Sequence, residues 1–290
     1  MRRTVAGALA LLVLLPAVRA LDSPKPAATP AEQVKALEAE YTKSMADFMT
    51  AYQAAKDNDE RQKLIKEKYP NPDKFADRFL ALAEKHPKDG AAVDALVWVV
   101  SNSRNAAKGG PREKALTLLK REYLTSDKIA PLCESLARGL DKESRETLQT
   151  VLDKNPNAGV KAAACLALAT NMQSRARLAK RIKAQPAMAR AYEGMMGKEG
   201  VEEIEKKGEE GLNKEAIKYL ERVVKDFPGA KDAKGKPLDK EAKNKLDGIL
   251  HPVVVDKPAP EIDGEDTDGK AFKLSDYKGK VVLLDFWGNW

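Results

Sequence analysis

Residues 83–96 (AEKHPKDGAAVDAL) and residues 152–166 (LDKNPNAGVKAAACL) follow one pattern: a helix end, a proline turn and an alanine-rich helix. The stretch VKDFP, which ends at Pro228, closes a third helix in the same way. Pro87 and Pro156 are 69 residues apart, and Pro156 and Pro228 are 72 apart. Each spacing equals two periods of about 35 residues. The pattern predicts a mainly α-helical chain that is built from helical hairpins.

Each interval between these prolines has room for one further helical unit. In the first interval we predict helices over Pro111–Tyr123 and Lys128–Arg138, joined near Thr125-Ser126, and in the second a turn at Gln185-Pro186. A period of about 34–36 residues with two helices per unit resembles tetratricopeptide-like repeats, although their fixed tryptophan, glycine and tyrosine are absent. One hairpin cannot bury its own apolar face, so we expect a solenoid-like stack over residues 31–250. Its concave surface would receive a peptide or protein partner. An irregular helical bundle is the alternative.

Apolar spacing predicts two more helices. Residues 31–55 carry apolar side chains three and four positions apart, which is typical of one buried helix face, and Pro30 suits the start of that helix. A short helix is predicted over Leu238–Leu250. Lys198–Gly211 (KEGVEEIEKKGEEG) is rich in charge and glycine, and we expect it to be a solvated loop.

The composition excludes several classes of protein. The chain has 290 residues, 43% of them hydrophobic, which is enough apolar surface for a packed core. Two cysteines cannot staple a small domain or supply a four-cysteine zinc site. The net charge is +7, but lysine and glutamate alternate and aromatic residues are only 6%. Because a nucleic-acid surface needs clustered cations and stacking aromatics, we expect no nucleic-acid partner.

Residues 1–20 (MRRTVAGALALLVLLPAVRA) are predicted to be a secretory signal peptide. Arg2 and Arg3 form a positive start, Val5–Leu15 is apolar, and small residues precede position 21. The alternative, a membrane anchor, needs about 20 apolar residues. Removing the peptide lowers the net charge from +7 to +4. We therefore expect an exported protein, periplasmic or extracellular, with a proline-rich tether over residues 21–30 and no membrane span after cleavage.

The two cysteines and two histidines predict neither a metal site nor a cofactor. Cys133 and Cys165 fall at helical positions that are expected to face the core. A disulfide between them stays open as an alternative, provided that their Cα atoms lie within about 7 Å. His86 and His251 each precede a proline and have no second ligand at a metal-binding spacing.

The pattern changes after residue 252. Glu261–Asp263 and Ala271–Leu274 flank a turn at Asp268-Gly269, and a second turn follows at Tyr277–Lys280. Val281–Phe286 is apolar except for one aspartate, and such a run between turns predicts a fully buried strand. We also expect the hairpin and this strand to be poorly supported at the C-terminus.

Residues 253–290 resemble the opening of a redoxin domain. The motifs that carry the resemblance occur in order: Lys257–Pro260, Asp268–Lys270, Leu274–Tyr277, Lys278–Lys280 and Val281–Trp290. Redoxins have a thioredoxin-like α/β fold and include thiol–disulfide oxidoreductases related to the alkyl hydroperoxide reductase and thiol-specific antioxidant families. The final DFWGNW run is similar to the segment before the Cys-x-x-Cys of disulfide reductases, and the peroxiredoxin branch is the less favoured alternative. Asp256 departs from the glycine that is more usual there.

The resemblance implies roles for three residues. Asp285 matches the buried aspartate that relays a proton to the resolving thiol; the alternative is a side chain that faces solvent. Trp287 and Trp290 match the aromatic residues beside the thiols; the alternative is ordinary packing. The chain ends at Trp290, where the family has its first cysteine, and we expect a truncated product without thiol–disulfide activity.

Two functions remain as hypotheses. The first is an exported thiol–disulfide oxidoreductase whose substrates are protein thiols and disulfides or a peroxide, with a helical interaction region before the redoxin domain. The second is a helical-repeat module for protein–protein interaction, in which the C-terminal segment has no catalytic role.

Overall fold

The structure is a computed structural model that describes residues 28–103, 109–232, 235–252 and 258–285. Within these ranges the chain is mainly helical, with a two-stranded sheet near the C-terminus. The predicted helical class is therefore confirmed. The predicted signal peptide, residues 1–20, lies outside the described residues, as does most of the proline-rich tether.

The helices follow one another with short connections. Their bounds are α1 Pro30–Ala54, α2 Asn58–Lys68, α3 Pro72–Lys85, α4 Gly90–Asn102, α5 Pro111–Leu118, α6 Ala130–Leu136, α7 Lys142–Lys154, α8 Ala158–Ala184, α9 Ala189–Met196, α10 Lys198–Asp226 and α11 Leu238–Leu250. A π-helical turn, Leu119–Tyr123, extends α5, and 3₁₀ turns precede α6 and α9. Among the described residues, no helix has both the length and the apolar character required to cross a bilayer.

The helix starts follow from local chemistry. Thr29 caps α1: its hydroxyl accepts from the Glu32 N–H at 3.3 Å, while its own N–H donates to the Glu32 carboxylate at 2.8 Å. Pro30 occupies the first turn, where a missing N–H removes no helical hydrogen bond. The predicted start of this helix is confirmed. Asn and Asp side chains cap other helices in the same way.

Two of the predicted proline turns separate pairs of packed helices. Pro87 lies between α3 and α4, and Pro156 lies between α7 and α8. A proline cannot continue the helix before it, so the chain reverses direction at each of these two turns. Asn155, which is fully buried, donates to the Leu124 carbonyl at 2.7 Å and to the Ser126 carbonyl at 2.9 Å. These hydrogen bonds tie the turn at Pro156 to the turn that precedes α6.

Helices α4 and α8 contribute more buried apolar residues than any other helix. Helix α8 packs against α6, α7 and α10, and α3 packs against α4. The largest fully buried apolar side chains are Phe79, Leu96, Leu119, Ile129, Leu132, Leu136, Leu148, Leu168, Ile204, Leu212 and Leu220. A second apolar cluster joins the C-terminal half of α8 to the first half of α10. The alanines of α4 and α8 allow close approach between helices.

The prediction of a loop over Lys198–Gly211 is wrong. These residues belong to α10, which bends at Gly208, where φ is 64° and ψ is 179°. Val201, Ile204 and Leu212 are buried at helical spacing, and burying them stabilises the helix despite its glycines. Most of the charged residues are exposed, and Lys198–Glu202 and Glu210–Lys214 form ion pairs along the helix, whereas Glu203 and Lys207 are half-buried. Charge and glycine content masked the apolar period in the sequence.

The predicted C-terminal hairpin is confirmed. Strand β1, Asp263–Glu265, pairs antiparallel with β2, Ala271–Lys273, and the turn between them contains Asp268 and Gly269. Gly269 has φ of 78°, a conformation that favours glycine.

The prediction of a buried strand over Val281–Phe286 is wrong for the part that is described. Residues 281–285 form no strand, and Val281 and Leu283 are 104% and 92% exposed. A strand requires a hydrogen-bonding neighbour, and within the described ranges the sheet consists of β1 and β2 alone. Phe286 lies outside the described residues.

Candidate functional site

The side chain of Asp266 holds the turn of the C-terminal hairpin through hydrogen bonds. Its Oδ1 accepts from the N–H groups of Asp268 at 3.0 Å and Lys270 at 2.8 Å, and its carbonyl accepts from Gly269 at 3.0 Å. Such a turn needs only local hydrogen bonds. This explains why the sequence alone predicted it.

Glu261 ties the start of the hairpin to the 3₁₀ turn Leu274–Tyr277. Its Oε1 accepts from the Ser275 N–H at 2.9 Å and from the Ile262 N–H at 3.1 Å. Hydrogen bonds from the hydroxyl and the N–H of Ser275 hold the pKa of Glu261 below its usual value. Residues 261–277 therefore form a small unit with its own hydrogen bonds.

The residues predicted to support a thiol site are not brought together among the described residues. Asp285 is exposed, and it follows the exposed run 281–284. Trp287 and Trp290 lie outside the described residues. The proton-relay role of Asp285 and the packing of both tryptophans against thiols stay predictions.

The two cysteines lie in the helical core. Cys133 on α6 and Cys165 on α8 are fully buried and are not joined by a disulfide. Burial raises the pKa of Cys133 to about 12 and that of Cys165 to about 11. Since the thiolate is the nucleophile, both thiols are unreactive at neutral pH. Their predicted position in the core is confirmed.

The described residues contain no group of three or more His, Cys, Asp or Glu side chains that could hold a metal ion. His251 Nδ1 lies 2.8 Å from Asp247 Oδ1 on the same exposed helix end. That pair is an ordinary contact between successive helical turns.

Two grooves in the helical region include residues of α6. A groove of about 350 Å³ lies between α1, α4 and α6 and includes Trp98, which stacks on Phe79 at 4.1 Å. Burial, followed by the charge of Asp94, raises the pKa of Glu38 in this groove. A second groove, of about 400 Å³, lies between α6, α8 and α11 over small side chains such as Ala163. The surface that carries these two grooves can receive an extended segment of a partner protein.

Sequence reasoning missed an ion cluster between α7, α8 and α10, in which Arg175 is buried and its partners are partly exposed. Glu203 Oε2 accepts from Arg175 Nη2 at 2.6 Å and from Arg145 Nη2 at 3.2 Å. Lys207 Nζ lies 2.9 Å from Glu203 Oε1 and 2.8 Å from Glu215 Oε1. The signal available in the sequence was Arg175, a cation that interrupts the apolar face of an otherwise alanine- and leucine-rich helix.

No protein-family model matches the chain, and no solved structure matches it. A segment of 32 residues is 59% identical to the thiol-disulfide oxidoreductase ResA of Bacillus subtilis (strain 168). The matched segment covers 11% of this chain and 18% of that protein, so the chain spans less than a fifth of the relative's length. The match supports a relationship to the thioredoxin-like redoxins over a short segment.

Proposed function

We propose that this chain is part of an exported thiol–disulfide oxidoreductase in which a helical-repeat region, residues 31–250, precedes a thioredoxin-like redoxin domain that begins near residue 253. The observation that carries the proposal is the 59% identity over 32 residues to a thiol-disulfide oxidoreductase. Export rests on residues 1–20, which have the composition of a signal peptide.

Contacts between successive hairpins support the repeat part of the proposal. Lys128 Nζ lies 2.6 Å from Asp94 Oδ2, and Asn171 Nδ2 donates to the Ala137 carbonyl at 3.3 Å. In each pair the two residues are 34 positions apart. Stacked units with a period of about 35 residues place equivalent positions side by side in this way.

The C-terminal segment supports the redoxin part. Its hairpin follows the order of motifs in the redoxin resemblance, and Val281, Leu283 and Leu284 present apolar side chains of the kind that neighbouring strands bury. By the same resemblance, we propose that Asp285 relays a proton to the resolving thiol and that Trp287 and Trp290 flank the thiol pair.

The proposed reaction is thiol–disulfide exchange on protein thiols or disulfides, or reduction of a peroxide. With a disulfide substrate, a thiolate at a helix N-terminus attacks one sulfur, the substrate S–S bond breaks and one substrate thiolate leaves; a second thiol three residues later attacks the mixed disulfide, releases the other substrate thiolate and leaves the enzyme's own disulfide. With a peroxide, the thiolate attacks oxygen, the O–O bond breaks to release an alcohol or water, and the second thiol attacks the resulting sulfenic acid and releases water. Neither Cys133 nor Cys165 belongs to a Cys-x-x-Cys pair, and burial raises the pKa of both thiols. We therefore expect residues 1–290 alone to have no reductase activity.

Two measurements test the proposal. The genomic DNA downstream of the Trp290 codon is expected to continue in frame through a Cys-x-x-Cys pair and about 100 further codons, and a stop codon directly after Trp290 would contradict the oxidoreductase proposal. Insulin reduction by residues 1–290 is expected to stay at the dithiothreitol background. Turnover above that background would contradict the claim that the helical cysteines are inactive.

The grooves beside α6 favour a second candidate, a helical module that binds a partner protein. This function needs no thiol chemistry and uses the surface that carries the two grooves. Charge reversal at Glu38 and Arg138, one residue in each groove, is expected to abolish binding of a partner captured by the wild-type chain. Unchanged binding by folded charge-reversed protein would exclude this face as the docking surface.

A further inference from the structure

Two arginines converge on one carboxylate oxygen in the helical region. The side chain of Arg175 is 0% exposed and that of Arg145 is 15% exposed, and both donate to Oε2 of Glu203. The other oxygen of Glu203 faces Lys207, whose charge is also balanced by Glu215. One carboxylate therefore serves two guanidinium groups that belong to helices α7 and α8.

This arrangement leaves cationic donors without acceptors. Nε and Nη1 of Arg175 are buried and have no hydrogen-bond partner among the described residues. Burial and the neighbouring charge of Arg145 both lower the pKa of Arg175, which is the expected effect of an undercompensated buried cation. Nη1 of Arg145 already donates to the Leu140 and Asp141 carbonyls, so the buried unpartnered N–H groups of the pair belong to Arg175. The planar fork of a guanidinium matches the geometry of carboxylates.

Glu203 sits on a helical segment that is bounded by two glycines. Gly197 has φ of 74° and Gly208 has φ of 64°, so non-helical backbone stands at both ends of Lys198–Lys207. These conformations favour glycine, and two such positions allow the segment to rotate as one body. We name residues 198–207 the clasp.

A cleft of about 370 Å³ gives access to Arg145 from solvent, whereas Arg175 does not line it. Its lining residues are Lys142, Arg145, Glu146, Met196, Glu199, Gly200 and Glu203. The clasp forms one wall of this cleft, and Arg145 on α7 contributes to the opposite wall. Movement of the clasp away from α7 and α8 would uncover both guanidinium groups, and it would also expose Val201 and Ile204, which pack against α8.

We propose that Arg145 and Arg175 form a carboxylate-binding site, that Glu203 occupies it when the clasp is closed, and that an acidic side chain of a partner protein replaces Glu203 when the clasp swings on Gly197 and Gly208. Glu203 then acts as an internal ligand that competes with the partner. The proposal concerns the helical region alone and does not depend on the proposed redox activity.

Chemical rescue of Glu203→Ala tests the site in the full chain. The substitution leaves the arginine pair without its carboxylate, so sodium acetate is expected to raise the midpoint of thermal unfolding by at least ~2 °C over sodium chloride at equal ionic strength. Sodium phosphate in a third arm distinguishes a carboxylate site from a general anion site. Glu210→Ala, which removes an exposed carboxylate from the same helix, is the matched control and is expected to respond equally to both sodium salts.

Equal midpoints of Glu203→Ala in acetate and chloride would overturn the proposal, as would rescue by phosphate but not acetate. If Glu203→Ala does not fold, Glu203→Ser also vacates the carboxylate position and the same comparison applies.

Clasp movement is tested on the wild-type chain with a hexaglutamate peptide as probe. Amide hydrogen exchange of residues 198–207 is expected to accelerate at least ~3-fold on addition of the peptide, with no change for hexaglutamine. Exchange that is unaffected by hexaglutamate, or affected equally by hexaglutamine, would contradict the proposed movement of the clasp. Arg175→Met, which removes the buried guanidinium, is expected to abolish the effect. None of these measurements detects thiol chemistry, so a negative result in them does not bear on the proposed redox function.

Discussion

Replacement of Asn155 by alanine is expected to destabilise the helical region strongly. The side chain donates to the carbonyls of Leu124 and Ser126 at 2.7 and 2.9 Å, and its Oδ1 accepts from the Asn157 N–H at 2.9 Å. Asn155 is fully buried, so water replaces these bonds poorly. The residue joins the turn before α8 to the turn before α6.

The expected magnitude follows from the three lost hydrogen bonds. At about 1 kcal/mol for each bond, Asn155→Ala costs about 3 kcal/mol in the free energy of unfolding. For a helical region of this size, that loss lowers the melting temperature by roughly 6–12 °C. Asn155→Asp keeps the size and the acceptor but places a carboxylate against two carbonyl oxygens, so its cost is expected to be at least as large.

Urea denaturation followed by far-ultraviolet circular dichroism measures the effect. Asn71→Ala is the matched control, because Asn71 is exposed and its side chain accepts one hydrogen bond, from the Asp73 N–H at 2.9 Å. Loss of that helix cap is expected to cost about 1 kcal/mol. If Asn155→Ala costs no more than Asn71→Ala, the side chain does not hold the two turns together.

Three further outcomes are expected. Cys133 and Cys165 should react with Ellman's reagent only in urea, because burial raises the pKa of both thiols; rapid labelling of the folded chain would contradict their burial. Burial raises the pKa of Glu203, but Lys207 and the two arginines outweigh burial, so the pKa in the folded chain lies below its usual value. The ionised Glu203 should therefore stabilise the fold fully above the unfolded pKa near 4.5, and this stabilisation should disappear as the pH falls below that value. Glu203→Gln should flatten the dependence of the free energy of unfolding on pH in this range. An unchanged dependence would refute the claim that Glu203 causes the loss of stability in acid. Gly269→Val should abolish the hairpin amide protection seen by nuclear magnetic resonance, because valine disfavours φ of 78°; retained protection would show that the turn tolerates a side chain.

Local chemistry made several elements readable from the sequence. Helix α11 has the predicted bounds, Leu238–Leu250, and α1 starts at Pro30 as predicted. Proline, a capping threonine and a regular apolar spacing act within a few residues of the chain. The Asp266 turn is readable for the same reason, since its hydrogen bonds stay within four residues.

Elements that depend on distant partners were predicted poorly. Lys198–Gly211 has the composition of a loop, but burial of Val201 and Ile204 against α8 makes it helical. Val281–Leu284 has the composition of a buried strand, but a strand forms only beside another, and residues 281–285 remain exposed. In both cases the outcome depends on a surface that the local pattern does not contain.

The candidate sites divide in the same way. The redoxin resemblance was visible in the order of short motifs at residues 257–290, and a match of 32 residues to a thiol-disulfide oxidoreductase supports it. No motif indicated that Arg145, Arg175 and Glu203 meet, because Glu203 is 58 residues from Arg145 along the chain. Helical period and turn residues are properties of neighbours in sequence, whereas the burial of a charge depends on which helices pack around it.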